Sequence, residues 1–242
     1  MSQRIVLKPI NNPGISFTKE TNNKLLGLNE ILNNDKDKVM SYAQFQELLI
    51  NEGIFSGSYI RSFIPFLFNL GMINEYSTIS FNSFFTDLGE AYVSSLKLIE
   101  DSNENEDAIQ MKQNILLFSL EYMKYSECKY YSNYIDILKF VKKFNTINRE
   151  EFFINEYCIQ NNISNDQMID EYRKNNTNYD IYILNGDGEE MTYRNNNSFN
   201  YFIAYLGDDQ TKLVCKQDQN NYVINNNKLE IINELIKDKG VE

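Results

Sequence analysis

The stretch from Ser41 to Glu100 most constrains the fold, because its helix signals come in a fixed order. Apolar residues recur at helical spacing from Tyr42 to Ile50 and again from Tyr59 to Leu70. The first run stops at Gly53 and the second at Gly71, and glycine readily adopts the left-handed conformation that ends a helix. The pattern therefore predicts two short helices joined by a tight turn.

A β-ribbon and a further helix are predicted to follow. Residues 72–73 and 79–81 alternate as strands around a polar turn, and Leu88 to Ile99 returns to helical spacing. With a first helix from Lys24 to Leu32, this order is that of a winged helix. We therefore expect a mainly α fold with small β-hairpins (α+β). Winged-helix domains usually place the second helix of their helix-turn-helix in a DNA major groove, but they also serve as protein-interaction modules.

The helix from Tyr59 to Leu70 has two distinct faces. Its apolar positions predict a core face, made by Ile60, Phe63, Ile64 and Leu67. The opposite face is polar and free of acids, made by Ser58, Arg61, Ser62 and Asn69. Pro65 is expected to kink this helix, because proline removes a backbone hydrogen bond.

The last segment repeats the pattern. A helix from Ser198 to Leu206 is followed by two strands, Lys212 to Lys216 and Tyr222 to Ile224, and by a closing helix from Lys228 to Lys237. On the first of these helices Asn197 and Asn200 are predicted to face outward. We expect an N-terminal arm and a first winged-helix domain over residues 1–100, an acidic linker over 101–110, and a helical spacer with a second winged-helix domain over 111–242. The first 20 residues are expected to be irregular.

The net charge of the chain argues against DNA binding, since contacts with phosphates favour a basic surface. The net charge is −11 and the isoelectric point about 4.7. Five acids, however, fall between Glu100 and Asp107, so the charge is expected to be segregated. The alternatives are that the acidic surface engages a protein partner or mimics DNA.

Several kinds of chemistry are disfavoured. The chain has no histidine, which removes the commonest general base and zinc ligand. Its three cysteines are scattered and predict buried thiols in a reducing cytoplasm. No segment is long and apolar enough to be expected in a membrane, and no cofactor is expected. A metal-dependent nuclease would need clustered carboxylates; Glu121 with 127–129 is the nearest pattern, and it fits a helix end better. Residues 185–188 indicate a turn.

Three segments together resemble a known family. They are residues 59–73 with 85–89, residues 147–152, and residues 202–207 with the strand pair and 228–236. They are similar to the specificity region of type IIS restriction endonucleases of the AlwI and FokI kind, which is built from winged-helix subdomains. The resemblance implies sequence-specific binding to double-stranded DNA. In that family a separate cleavage domain follows; here the sequence ends at Glu242, so nuclease activity is not expected to reside in this chain.

The candidate DNA-binding residues fall into two groups. Arg61 is predicted to contact a guanine edge or a phosphate, and Asn200 an adenine. The full set is Ser58, Tyr59, Arg61 and Ser62 in the first half, and Arg194, Asn197, Asn200, Lys212 and Lys216 in the second. The leading hypothesis is a non-catalytic DNA-binding protein whose nuclease acts in trans or is missing. The competitors are a module that binds a protein partner, such as a nuclease or regulator, and a cryptic nuclease.

Overall fold

The computed structural model describes residues 2–102, 105–175 and 177–237. It confirms the expected fold class, because helices predominate and the sheets contain only two or three strands each. The elements along the described chain are β1 (Gln3–Leu7), α1 (Lys19–Asn34), β2 (Val39–Ser41), α2 (Tyr42–Asn51), α3 (Gly57–Asn69), β3 (Thr78–Ser80), α4 (Asp87–Asp101), α5 (Glu106–Tyr125), α6 (Tyr131–Phe144), β4 (Thr146–Ile147), α7 (Arg149–Gln160), α8 (Asn165–Asn175), β5 (Tyr179–Leu184), β6 (Glu190–Thr192), α9 (Ser198–Leu206), β7 (Val214–Lys216), β8 (Tyr222–Ile224) and α10 (Leu229–Ile236).

Residue contacts divide the chain into two compact units. The terminal unit comprises Met1–Asn12, Ser132–Asp208 and Lys212–Glu242, and the internal unit comprises Pro13–Tyr131 and Asp209–Thr211. This division differs from the expected boundaries at residues 100 and 111. Helices α4 and α5 pack on each other within the internal unit. Most of the expected acidic linker is helical, because α4 runs to Asp101 and α5 starts at Glu106; Asn103 and Glu104 lie outside the described residues.

The N-terminal residues include a strand, which corrects the prediction of an irregular arm over the first 20 residues. Strand β1 pairs in parallel with β5, with Ile5 opposite Ile181 and Leu7 opposite Ile183. Ile5 and Leu7 are buried. Burial of one face of a short strand against a partner far along the chain supplies the stability that the local sequence does not indicate.

The internal unit begins its helices with side-chain caps. The Thr18 hydroxyl accepts from the Thr21 amide at the start of α1, and Ser41 and Gln44 form a reciprocal capping box at the start of α2. Gly71 follows α3 with φ of +69°, as expected for the glycine that ends a helix.

The β-ribbon of the internal unit differs from the prediction. Strand β3 pairs with β2, which precedes α2, and residues 72–73 form no strand. Ile73 makes only a single antiparallel bridge, to Phe85. The alternation over 79–81 was a correct strand signal, but its partner could not be identified from local sequence because pairing is set by tertiary contacts.

Helix α3 confirms the predicted core face. Ile60, Phe63, Ile64 and Leu67 are all fully buried. The helix is continuous from Gly57 to Asn69, with Pro65 inside it. Dense apolar packing on both sides of the proline offsets the loss of one backbone hydrogen bond.

In the terminal unit the short strand β4 joins the hairpin of β7 and β8 in one sheet. Strand β4 follows α6, and β4, β8 and β7 form an antiparallel sheet in that order. The predicted hairpin before the closing helix is confirmed, with β7 and β8 flanking residues 217–221, and α10 is that closing helix. Residues Tyr179–Leu184 form β5, and the predicted turn at 185–188 connects it to β6.

One buried ion pair secures the start of α7. Glu151, the third residue of the helix, completes a capping box with Asn148. Its carboxylate also accepts a 2.6 Å hydrogen bond from Arg173 Nε, and Arg173 donates further to the carbonyls of Phe144 and Thr146. Arg173 therefore joins α8 to the chain on both sides of β4 and holds the first turn of α7 in place.

Candidate nucleic-acid interface

The candidate residues on α3 do not all face outward. Ser58 and Arg61 are exposed, whereas Tyr59 turns toward α1, where its hydroxyl lies 2.8 Å from Thr21 Oγ1 and its ring lies 4.1 Å from Lys24 Nζ. Ser62 is half-buried beside Gly14. Only two of the four residues predicted in this half of the chain are therefore presented to solvent.

Arg61 lies in an acidic unit. The internal unit has 17 acidic and 9 basic residues, whereas the terminal unit has 17 and 14. Within the described ranges Arg61 forms no hydrogen bond or ion pair, and it lies close enough to Tyr42 to oppose the rise in the pKa of that hydroxyl caused mainly by burial. Most of the protein's net negative charge thus belongs to the unit that carries the first predicted site, which weakens the case for phosphate contact there.

Helix α9 presents the predicted outward face. Asn197 and Asn200 are exposed, and Tyr201 and Ala204 are half-exposed on the same stripe. Phe199, Phe202, Ile203 and Leu206, on the opposite side of the helix, are buried. The accessible stripe of α9 is therefore uncharged.

A groove of about 480 Å³ lies at the N-terminal end of α9 within the terminal unit. Its walls are the first turn of α7, the turn before α9 and the hairpin between β7 and β8. It is lined by Asn148, Arg149, Glu150, Tyr172, Tyr193, Arg194, Phe199, Asn200, Gln219, Asn220 and Tyr222. Guanidinium, amide and phenol groups predominate, and these are the side chains that contact phosphates and base edges in DNA complexes.

Arg149 builds the groove rather than facing a ligand. Its guanidinium donates to the carbonyl oxygens of Tyr193 (3.3 Å), Arg194 (3.0 Å) and Asn196, and to Asn200 Oδ1 (3.2 Å). These bonds fix the turn that precedes α9. From the sequence, Arg149 was noted only within the segment 147–152, and no role was predicted for it. The sequence did contain one signal for its role. A cation in the first turn of a helix, such as Arg149, is disfavoured by the helix dipole and therefore suggests a partner elsewhere in the fold.

Glu150 carries the negative charge of the groove. Its Oε2 accepts hydrogen bonds from the hydroxyls of Tyr172 (3.4 Å) and Tyr193 (3.3 Å). Burial, followed by the charge of Glu150, raises the pKa of Tyr172 to about 12, so this hydroxyl keeps its proton at neutral pH. Glu150 was not among the residues predicted from the sequence.

Arg194 is the exposed cation of the groove. A hydrogen bond with Tyr193 and the nearby charge of Glu150 raise the pKa of its guanidinium, which is therefore permanently charged. The guanidinium carbon lies 5.9 Å from the centroid of the Tyr193 ring. Arg194 and Asn200 are the two predicted residues that the structure brings together in the groove.

The two predicted lysines do not line the groove, and their backbone amides bond to residues just after the C-terminal end of α9. Lys212 is half-buried, with φ of +55°, and its backbone amide donates to Gly207 O at 2.9 Å. Lys216 is exposed at the end of β7. The turn between β7 and β8 is fixed by Asp218, whose carboxylate accepts hydrogen bonds from the backbone amides of Asn220 and Asn221.

The remaining candidate carboxylates lie in a helix and in the turn that follows it. Glu121 lies in α5, and Glu127 lies in the turn after that helix with φ of +53°. Across residues 2–102, 105–175 and 177–237, no three histidine, cysteine or acidic side chains are arranged to hold a metal ion. None of the helices described has both the length and the apolar character needed to cross a membrane.

Comparisons with known proteins assign no family to the chain. No protein-family model matches it, and neither the search of curated proteins nor the search of solved structures returned a match. The resemblance to type IIS restriction enzymes therefore stays a prediction from sequence.

Proposed function

We propose that this protein binds double-stranded DNA through the terminal unit, without its own nuclease, as the recognition part of a restriction or defence system. The observation that carries the proposal is the groove between α9 and the β7–β8 hairpin, which gathers Arg194, Asn200 and the amides of the hairpin turn. The succession of α6, β4, α7, α9, β7 and β8 supports a winged-helix arrangement, with α8, β5 and β6 inserted between α7 and α9 and with sheet order β4-β8-β7. In that arrangement α9 is the recognition helix and residues 217–221 form the wing.

The charge distribution supports the terminal unit over the internal unit as the DNA-binding part. The acidic excess of the terminal unit is three charges and that of the internal unit is eight. Arg194 precedes the N-terminal end of α9, and Lys212 and Lys216 bond to residues just after its C-terminal end. We expect each of these three cations to neutralise one phosphate.

The salt dependence of binding tests this proposal. Three neutralised phosphates give a slope of about −2.7 in log affinity against log salt, so affinity falls about 40-fold between 50 and 200 mM salt. Fluorescence anisotropy with a labelled random-sequence duplex pool measures this slope. Arg194→Ala should weaken binding to all sequences and reduce the slope by about one.

Lys8→Ala is the matched control, because it also removes one cation from the terminal unit. Lys8 contacts Gln160 through its backbone, at the far end of α7 from Arg149. That end is about 16 Å from the groove along the helix. Absent or salt-independent binding, or equal losses in the two variants, would contradict the proposal.

A second candidate function is binding of a protein partner by the internal unit. It is favoured by that unit's acidic excess and by an exposed apolar stripe on α5, made by Met111, Phe118, Tyr122 and Tyr125. Phe118 is 64% exposed. Exposed stripes of this kind often mark interaction sites. A pull-down from the native host after nuclease treatment tests it: a specific partner that is retained, and lost on Phe118→Ser, would favour this function.

A further inference from the structure

Glu150 is unexpected in a surface that contacts a polyanion. In the part of the chain that the structure describes, it is the one carboxylate lining the groove. A carboxylate facing phosphates is repelled by them, and this repulsion weakens binding unless the group makes a compensating contact. If the groove binds DNA, Glu150 therefore needs a partner that donates a hydrogen bond to its carboxylate.

The geometry leaves one side of the carboxylate available. Both tyrosine hydroxyls bind Oε2, and no described residue donates a hydrogen bond to Oε1. Glu150 also lies in the first turn of α7, where the helix dipole stabilises a negative charge. The carboxylate is thus held by two neutral donors on one oxygen, and Glu150 lines the groove with its other oxygen left without a described donor.

An ionised carboxylate only accepts hydrogen bonds, and this restricts what it can read. Among base edges in the major groove, cytosine N4 and adenine N6 present amino donors. Guanine and the thymine carbonyl present acceptors. Asn200 and Asn220 line the same groove and supply amides for a neighbouring base or phosphate.

We propose that Glu150 reads the exocyclic amino group of a cytosine or adenine in bound DNA, with Tyr172 and Tyr193 as positioning residues. This inference rests on the proposed function, since it requires that duplex DNA reaches the groove. It adds a specificity determinant that was not predicted from the sequence.

The test is selection from a randomised duplex pool with three proteins. Wild type should prefer cytosine or adenine over guanine or thymine at one position by about tenfold, the size of one good base contact. Glu150→Gln should reduce that preference to about twofold or less. Glu234→Gln, which removes one exposed charge from α10 in the same unit, should retain the full preference.

Two results would overturn the inference while leaving the proposed function standing. A uniform gain in affinity of Glu150→Gln for all sequences would show that the carboxylate only repels DNA. An unchanged base preference would show that it contacts no base. If wild type binds no duplex at any salt concentration, the proposed function and the inference fail together.

The tyrosine hydroxyls provide a second, independent test. The double variant Tyr172→Phe with Tyr193→Phe keeps the rings and removes both hydrogen bonds to Glu150. It should weaken the preference at the same base position, with thermal unfolding monitored to check folding. A loss spread evenly over all positions, or no loss, would contradict the positioning role.

Discussion

Replacing Arg173 tests how the start of α7, and with it the wall of the groove, is held. Glu151 is 3% exposed at its side chain and Arg173 is 30% exposed, and their hydrogen bond is 2.6 Å long. Arg173→Ala leaves the Glu151 carboxylate buried without its cation and frees the carbonyls of Phe144 and Thr146. Breaking a buried pair from one side costs about 3–5 kcal/mol. Because Arg173 is partly solvated, we expect about 2–3 kcal/mol.

For a chain of this size that loss lowers Tm by about 5–10 °C. The protein has no tryptophan, so circular dichroism is the suitable readout. Lys174→Ala is the matched control, because its neighbouring ion pair with Asp170 is exposed at 70% and 57%. We expect the control to change stability by less than about 0.5 kcal/mol. Equal Tm values for the two variants would refute the argument that Arg173 secures this part of the fold.

Three further predictions concern single side chains. Burial raises the pKa of Glu156 to about 7, so the free energy of unfolding should fall as the pH rises from the unfolded pKa of about 4.5 through 7. This loss amounts to about 3 kcal/mol at pH 8. Glu156→Gln should remove the dependence, as measured by urea titrations at several pH values. Gly89→Ala should prevent stable folding of the internal unit, since an added Cβ would lie 1.9 Å from a backbone carbonyl oxygen. Gly57→Ala, at the start of α3, should be tolerated. Equal melting temperatures of the two variants would contradict this reasoning. A thiol reagent should modify half-exposed Cys215 first and Cys158 last, because Cys158 is buried and burial raises its pKa to about 11; the reverse order would be inconsistent with the structure.

The faces of the helices could be predicted because periodicity is a local property. The buried sides of α3 and α9 follow from residues three or four positions apart, and both predictions agree with the observed burial. The hairpin of β7 and β8 is also local, since its strands are separated by a five-residue polar turn.

Strand pairing over long distances could not be predicted in the same way. Strand β1 has five residues, and its partner β5 lies in the second half of the chain. Strand β3 likewise pairs with a segment before α2 and not with the nearer residues 72–73. In each case the sequence shows an alternating pattern but contains no local signal for the partner.

The groove was only partly predictable for a related reason. Arg194 and Asn200 were identified because they lie on or beside the exposed stripe of α9. Arg149 and Glu150 were missed because their partners are distant in sequence: most lie in the turn before that helix, and Tyr172 lies in α8. A side chain that contacts a distant turn leaves only an indirect trace in sequence, such as a cation in the first turn of α7.

Hydrogen exchange of the full chain, with and without a duplex carrying its selected sequence, tests the central claim most directly. We expect DNA to slow exchange of backbone amides in residues 193–200 and 217–222, on both sides of the groove. Protection confined to α3 in the internal unit, or no protection at concentrations where DNA is bound, would contradict the assignment of the terminal unit as the DNA-binding surface.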